Sequence, residues 1–358
     1  MNICFFVSSM NLAGGTEKMV SLISNGLSKD NNVYILSIYS GSNPFFKINN
    51  NIVLYEIYNQ KKSLIFNFFN IAKFVRNFVC NNDIDVFIDV DTTLSLFSLI
   101  GLIGLNVKHI SWEHFNYNVF RANKKRLLAR RLASRYCDYV ITLTEKDKNM
   151  WLENEDCKAN ICCINNPIPY KKMEDDNFIY DVNSKTVLSI GRFVEQKGFD
   201  LLIEAWSLIH NRVPDWNLKI IGSGKDQKLL VDLISKYNLS DSVLIIPPTK
   251  DIESHYKSAS IYCMSSRFEG LPMVLLEATF YKIPIISFDC DTGPSEIIDH
   301  NINGLLCEPL NVKELAENLY LLMSNKNLRK DFSDKSSSII SKFSLDLILE
   351  QWNKIIES

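Results

Sequence analysis

The chain has no run of eighteen apolar residues, no C-x-x-C pair, no histidine at metal-ligand spacing from a cysteine, and almost no net charge. Without a long apolar run, no segment is expected to cross a bilayer as a helix. Without paired cysteines or neighbouring histidines, the usual thiolate metal site has no ligands. A formal charge of −2 gives no case for a nucleic-acid partner, so electrostatic arguments must come from local clusters. The first residues, Met1-Asn2-Ile3-Cys4-Phe5-Phe6-Val7, lack the basic flank and small-residue cleavage site of a signal peptide. There is no internal repeat and no low-complexity tract.

What is present is an ordinary globular composition, 46% hydrophobic and 22% charged, in 358 residues. That length exceeds what one core usually organises, so two domains are expected. The nine cysteines are an odd number and several lie in apolar runs such as Ile161-Cys162-Cys163-Ile164, where a thiol acts as a small hydrophobe. A reducing compartment follows, and the expected location is cytoplasmic, at most at the inner face of the cytoplasmic membrane.

Short apolar strands alternate with helical patterns through the first half. Strands are expected at residues 2–8, 33–38, 52–57, 84–90, 109–112 and 139–143, with helices from Thr16 and over 64–80. The alternation stops at Asn165-Asn166-Pro167-Ile168-Pro169 and a polar stretch, then restarts. Strands at 186–190, 218–221, 243–246, 261–264 and 283–288 then alternate with helices at 199–209, 227–237 and 272–281. Near-continuous apolar strands separated by helices indicate parallel sheets covered on both faces. The expected architecture is α/β: two doubly wound Rossmann-like domains, 1–168 and 185–340, joined by a linker at 169–184. A last helix at 341–358 falls outside the second pattern and is expected to pack back on the first domain. In such sheets ligands sit beyond the carboxyl ends of the strands, and two domains facing across a cleft would suit a two-substrate reaction.

The strongest chemical signal is Ser265-Ser266-Arg267-Phe268-Glu269-Gly270-Leu271-Pro272, followed by Met273-Val274-Leu275-Leu276-Glu277. A strand ends, a Glu-Gly turn follows, and Pro272 suits a first helical position. The free amides of that helix start suit a diphosphate. Glu277, farther along the helix, is placed to accept from ribose hydroxyls, and Glu269 lies on the loop nearer a sugar. Taken singly, each is more simply a solvated carboxylate. The second signal is Gly191-Arg192-Phe193-Val194-Glu195-Gln196-Lys197-Gly198, again between a strand and a helix. Arg192 and Lys197 there can neutralise a pyrophosphate and the charge that grows as it departs.

Together with Gly222-Ser223-Gly224 and Asp289…Gly293-Pro294-Ser295-Glu296, these runs resemble the retaining GT-B glycosyltransferases of family 4 (glycosyl transferases group 1), including those of bacterial surface-polysaccharide synthesis. The resemblance spans nearly the whole chain and is most specific over 185–309. It implies that Arg192 and Lys197 hold the donor phosphates and Glu277 the ribose, with Gly222 nearby. Glu269 contacts the donor sugar beside the amides of Gly270 and Leu271. It further implies retention of anomeric configuration, no metal or other cofactor, and a departing phosphate that receives the acceptor's proton.

In the first half, Gly14-Gly15-Thr16 resembles the family's glycine-rich loop, whose amides approach the donor phosphate where a side chain would obstruct. His114 follows a strand end and, by the same resemblance, takes a catalytic place with Glu269, bonding the donor sugar or orienting the acceptor. Thr144 and Glu145 read as a helix start. Arg121, Lys124, Lys125, Arg126, Arg130, Arg131 and Arg135 form a basic segment without an acid, with Leu127, Leu128 and Leu132 as an apolar stripe. Such a helix either lies against anionic membrane or packs on the sheet through its leucines. Two Asp-x-Asp triplets, at Asp89-Val90-Asp91 and Asp289-Cys290-Asp291, invite a metal reading that the doubly wound pattern does not favour.

The reading is a transferase moving a hexose or N-acetylhexosamine from a nucleotide-diphosphate sugar, UDP-sugar favoured, to a saccharide acceptor. By resemblance that acceptor is lipid-linked and belongs to O-antigen, capsule or exopolysaccharide synthesis. The rivals are a nucleotide-sugar epimerase of the same architecture and a non-catalytic binding subunit.

Overall fold

The computed structural model describes residues 1–119, 123–170 and 180–358. It divides into two compact units, one of Met1–Pro169 with Leu345–Ser358 and one of Tyr170–Ser344. Unit 1 runs β1 (Asn2–Val7), α1 (Gly15–Leu27), β2 (Asn32–Tyr39), β3 (Val53–Tyr58), α2 (Phe68–Asn81), β4 (Val86–Val90) and α3 (Ser95–Gly101). It continues through β5 (Lys108–Trp112), α4 (Lys124–Tyr136), β6 (Tyr139–Thr142), α5 (Glu145–Asn154) and β7 (Asn160–Cys163). Unit 2 runs β8 (Thr186–Ile190), α6 (Phe199–Ile209), β9 (Asn217–Ile221), α7 (Gln227–Lys236), β10 (Val243–Ile246), α8 (Ile252–Lys257) and β11 (Ile261–Met264). There follow α9 (Met273–Phe280), β12 (Ile285–Phe288), α10 (Pro294–Ile297), β13 (Gly304–Cys307), α11 (Val312–Ser324) and α12 (Lys326–Lys342), and α13 (Leu345–Glu357) closes the chain in unit 1.

Each unit is a parallel sheet. The order is β3-β2-β1-β4-β5-β6-β7 in unit 1 and β10-β9-β8-β11-β12-β13 in unit 2. The order reverses between β1 and β4 and again between β8 and β11, and at such switch points the strand-end loops part and leave room for a ligand. Central strands are apolar on both faces because helices cover both: Ile3, Cys4, Phe5 and Phe6 of β1 are all fully buried. Helices pack through one face, as in α6, where Phe199, Leu202, Ile203, Trp206 and Ile209 join the core of unit 2. All nine cysteines are free thiols. No helix among the described residues is long and apolar enough to cross a membrane.

The C-terminal helix α13 buries Ile348, Trp352, Ile355 and Ile356. Trp352 meets Trp112 edge to face at 4.9 Å, and Lys108 Nζ donates to the last carbonyls of the helix, Ile355 O and Ile356 O, at 3.0 and 2.9 Å.

Two elements differ from their expected bounds for physical reasons. Pro272 is extended (ψ 103°) and caps α9, so the helix begins one residue later, at Met273. Likewise α2 starts at Phe68, because residues 64–67 turn outward and Leu64, Ile65 and Phe66 bury no face. Apolar residues at helical spacing do not make a helix where there is no core to receive them. Within the expected linker, residues 171–179 lie outside the described residues. At its end Tyr180 donates to Ser260 O at 2.6 Å, and Arg329 donates to Val182 O at 2.9 Å.

Candidate active site

The switch point of unit 2 brings two loops together, one after β8 (Gly191–Gly198) and one after β11 (Ser265–Pro272). Lys197 Nζ meets Glu269 Oε1 at 2.6 Å across them, and the carboxylate side chain is 8% exposed. Gln196 donates to Phe268 O at 3.1 Å, and Arg267 N donates to Gln196 O at 2.8 Å. Gly198 has a left-handed φ of 62°, and a Cβ there would collide with Ser265 O, so only glycine lets the loops approach this closely. The loop after β9 closes in as well: a Cβ on Gly222 would collide with Gly191 O. From the β12 side, Thr292 Oγ1 donates to Glu269 O at 2.7 Å.

This scaffold holds a constellation suited to an anionic ligand. Arg192 is exposed, and its guanidinium has no ion-pair or hydrogen-bond partner among the described residues, although its carbonyl accepts from the Val194 N–H at 2.9 Å. The amides of Gly270 and Leu271 likewise find no acceptor among the described residues, and the first amides of α9 have none within their helix. Glu277, one turn into α9, accepts from the buried Tyr256 hydroxyl at 2.8 Å. Tyr256 stacks on Tyr281 at 5.2 Å, and Tyr170 packs on Phe280 at 4.8 Å, making an aromatic wall behind the carboxylate. Burial, and then the charge of Glu277, push the Tyr256 hydroxyl well above its ordinary value, so it remains a donor.

The structure therefore groups Lys197, Glu269, Gly270 and Leu271, with Arg192 and Gly222 on the adjoining strand ends and Glu277 along the helix. Sequence reasoning missed what braces them. Arg267 forms a two-pronged pair with Asp200 at 2.8 and 2.7 Å, tying the β11 loop to the first turn of α6. Burial works against the Asp200 carboxylate, but the Arg267 hydrogen bonds and charge prevail and hold it below its usual range. The hydroxyls of Ser266 and Ser295, in the β11 loop and at the start of α10, are buried with no partner among the described residues. No spacing rule singles out Arg267, Tyr256 or these serines.

Unit 1 places its candidates on the carboxyl edge of its own sheet. Gly14 caps α1 with an extended backbone (φ −97°), and a Cβ there would meet only the flexible carboxylate of Glu17. Nothing in the backbone conformation thus demands glycine at 14. Gly15 opens α1. A hollow of about 150 Å³ lies at this switch point, lined by Ser8, Ser9, Thr16, Glu17 and Asp91 among others. His114, past the end of β5, packs on Trp112 at 4.4 Å. Its Nε2 is buried with no partner among the described residues. Burial, opposed in part by the charge of Asp91, lowers the imidazole to about 4, so His114 is neutral at pH 7.

The basic segment departs most from expectation. Arg121 lies outside the described residues. In α4 the inward residues are Arg126, Ala129, Arg130, Ala133 and Ser134, whereas Leu128 is 52% exposed and Leu127 and Leu132 are half-buried. Arg126 bonds Glu113 Oε1 at 3.0 Å and Asp91 Oδ2 at 2.7 Å, while Arg130, fully buried, bonds Asn116 O at 3.0 Å, Tyr117 O, and Glu113 Oε2 at 3.5 Å. Two cations counted toward a membrane face are thus spent inside the unit, because Glu113 and Asp91 beneath them would otherwise be buried without a counter-charge. Asp91 adopts φ 92°, an unusual conformation for a non-glycine residue, and its other oxygen accepts from the Thr93 N–H at 2.7 Å. Asp89 accepts from Ser95 and Ser98 at 2.7 Å each and pairs with His109 at 2.7 Å, so the first acidic triplet is already engaged. Thr144 caps α5 by accepting from the Asp147 N–H at 3.1 Å.

Comparison with known proteins agrees with this geometry. Residues 172–338 match the family described as Glycosyl transferases group 1. An uncharacterised glycosyltransferase of Haemophilus influenzae is 38% identical over 355 residues, covering 99% of each chain. The amylovoran biosynthesis glycosyltransferase AmsD of Erwinia amylovora is 30% identical over 361 residues, again 99% of each. Among solved structures, a TarM variant from S. aureus in complex with fondaparinux, α-GlcNAc-glycerol and UDP superposes with a TM-score of 0.83 at 16% identity, covering 100% of both chains. The two parallel sheets are therefore those of the GT-B fold, and the chain belongs to the glycosyl transferases group 1 family.

Proposed function

We propose that the protein transfers a hexose or N-acetylhexosamine from a nucleoside-diphosphate sugar, a UDP-sugar by preference, to a lipid-linked saccharide during surface-polysaccharide synthesis, retaining the anomeric configuration. The name of AmsD connects a relative matched over its full length with amylovoran biosynthesis, and the TarM complex holds UDP; both facts support the reading.

The observation that carries it is the Lys197–Glu269 pair at the switch point, beside the unpartnered Arg192 guanidinium and the free amides of Gly270 and Leu271. A diphosphate entering there draws Lys197 toward itself and leaves the Glu269 carboxylate to accept sugar hydroxyls. Arg192 joins Lys197 on the phosphates, Glu277 takes the ribose, and Gly222 keeps the adjoining loop close. In the reaction the bond from the anomeric carbon to the phosphate oxygen breaks. The acceptor oxygen bonds the same face, and its proton passes to the departing phosphate. The two loop cations and the helix-start amides stabilise the charge that develops, which removes the need for a metal or other cofactor. On the carboxyl edge of unit 1 the amides of Gly14 and Gly15 are assigned to a donor phosphate and His114 to the donor sugar or the acceptor; a neutral His114 can bond a hydroxyl without adding charge.

The test incubates the purified chain with UDP-sugars and a polyprenyl-diphosphate saccharide, with and without EDTA, and reads the product's anomeric proton coupling by NMR. An α-linked product from an α-donor, formed equally in EDTA, is expected. An inverted linkage or a strict metal requirement would sink the mechanism, and an isomerised donor without acceptor would make the protein an epimerase.

A further inference from the structure

We propose that unit 1 docks on anionic lipid membrane through the turn before α2 and the outer face of that helix, not through α4. Three large apolar side chains stand in solvent within five residues: Ile65 is 67% exposed, Phe66 89% and Phe69 76%. Residues this open lie in no groove, so they form a projecting tip and not a socket for a partner helix.

The charge along this segment is of one sign. Between Glu56 and Asp83 there is no acid, while Lys61, Lys62, Lys73 and Arg76 all occur there and are all exposed. On α2, Phe69, Lys73 and Arg76 share the outward face opposite the buried Ile71, Val75 and Phe78. Apolar tips ringed by lysine are what an interfacial segment needs: the rings enter the headgroup boundary and the ammonium groups meet lipid phosphate. A second copy of the chain fits less well, because a two-fold contact would set this cationic ring against itself.

The placement has a consequence for the proposed reaction. The tip follows β3, so it lies on the same carboxyl edge of the sheet as Gly14, Gly15 and His114. It is two strands from β1, roughly 10 Å at ordinary sheet spacing. Docking there holds that edge at the lipid surface, where a lipid-linked saccharide would be presented. This consequence rests on the proposed acceptor; lipid binding itself is read without any transfer, so either can fail alone.

The experiment sediments the full chain with phosphatidylglycerol–phosphatidylcholine vesicles and with pure phosphatidylcholine vesicles, at low and high salt. Binding to the anionic vesicles that weakens with salt is expected. Phe66→Ser with Phe69→Ser, and separately Lys61→Glu with Lys62→Glu, should each lower partitioning by about tenfold or more with unchanged circular dichroism. Lys124→Glu with Arg131→Glu on α4 should leave it intact. The proposal is overturned by failure to bind anionic vesicles, by undiminished binding of the Phe66/Phe69 variant, or by loss in the α4 variant instead. A concentration-dependent dimer that vanishes with Phe66→Ser and Phe69→Ser would assign the tip to a second copy and also overturn it.

Discussion

The two sheets of this protein share one strand order over six strands, with a seventh added in unit 1, yet handle charge at their carboxyl edges in opposite ways. In unit 2 the cations sit on loops: Arg192 is exposed, and Lys197 reaches one carboxylate with part of its side chain in solvent. In unit 1 they sit on a helix face turned inward, where Arg126 and Arg130 are buried on Glu113. A loop cation that can change partners is available to a ligand. A helix cation with its counter-charge beneath it is part of the core. The difference lies in mobility and burial, not in composition.

Breaking the buried set should have the largest effect. Glu113→Ala takes the shared carboxylate from Arg130 and leaves Arg126 on Asp91, a loss of about 3–5 kcal/mol by the usual cost of breaking a buried ion pair. Urea unfolding followed by tryptophan fluorescence, with Trp112 and Trp151 both in unit 1, should show it. Arg131→Ala, on the exposed side of the same helix, should change stability by less than about 0.5 kcal/mol. Equal effects from the two variants would erase the distinction between the units.

The loop cation should behave in the reverse manner. Lys197→Ala removes charge from where the phosphate departs, so kcat/KM should fall by about 10²–10³-fold, in line with the loss of one preorganised donor. The fold should survive, because Glu269 sits on a loop with 8% of its side chain exposed, where Glu113 has none. If instead Lys197→Ala unfolds unit 2 and spares turnover in the surviving fraction, the pair is structural.

How far such contrasts could be read from sequence depended on whether the signal was local. The strands of unit 2 alternate with helices in an unbroken apolar rhythm, and the sheet follows from that periodicity. Lys197 and Glu269 declare themselves because Gly198, Gly270 and Pro272 follow them at strand ends, and Glu277 follows in the helix that Pro272 opens. The inward turn of α4 could not be seen in this way. Its leucines advertise an apolar face, and only the acids at Glu113 and Asp91, at the ends of other strands, decide that the arginines go in. Arg267 and Tyr256 were missed for the same reason, since each acts on a partner, Asp200 or Glu277, that is distant in sequence.

Titration offers a finer comparison inside unit 1. Burial is the main cause that raises the Asp147 carboxyl to about 7, with Glu113 adding to the rise while the Tyr117 N–H and Arg130 oppose it. Between pH 4 and 7 the folded protein then binds a proton there that the unfolded chain releases, so this group's stabilisation is lost as pH rises. His114, lowered to about 4, works in the other sense: the unfolded chain binds its proton up to about 6.5, so stability rises with pH from 4 to 6.5. Each slope is at most about 1.4 kcal/mol per pH unit, and the two oppose each other. Asp147→Asn should therefore expose a rising profile relative to the parent, and His114→Gln a falling one. Parallel profiles for both variants would show that neither group titrates as its burial demands.

The smallest effect probes the aromatic wall of unit 2. Tyr256→Phe removes a hydroxyl that bonds Glu277 Oε2 but keeps the ring stack on Tyr281. Glu277 is half-buried, so water can replace the lost donor, and the loss should be that of one hydrogen bond to a charged group, about 1.5 kcal/mol. If Glu277 holds the donor's ribose, that cost falls on binding: the donor KM should rise about tenfold while kcat stays within about twofold. A matching fall in kcat with KM unchanged would move Glu277 from holding the nucleotide to stabilising the transition state. The carboxylate would then belong with Lys197 in the chemistry and not with the wall behind it.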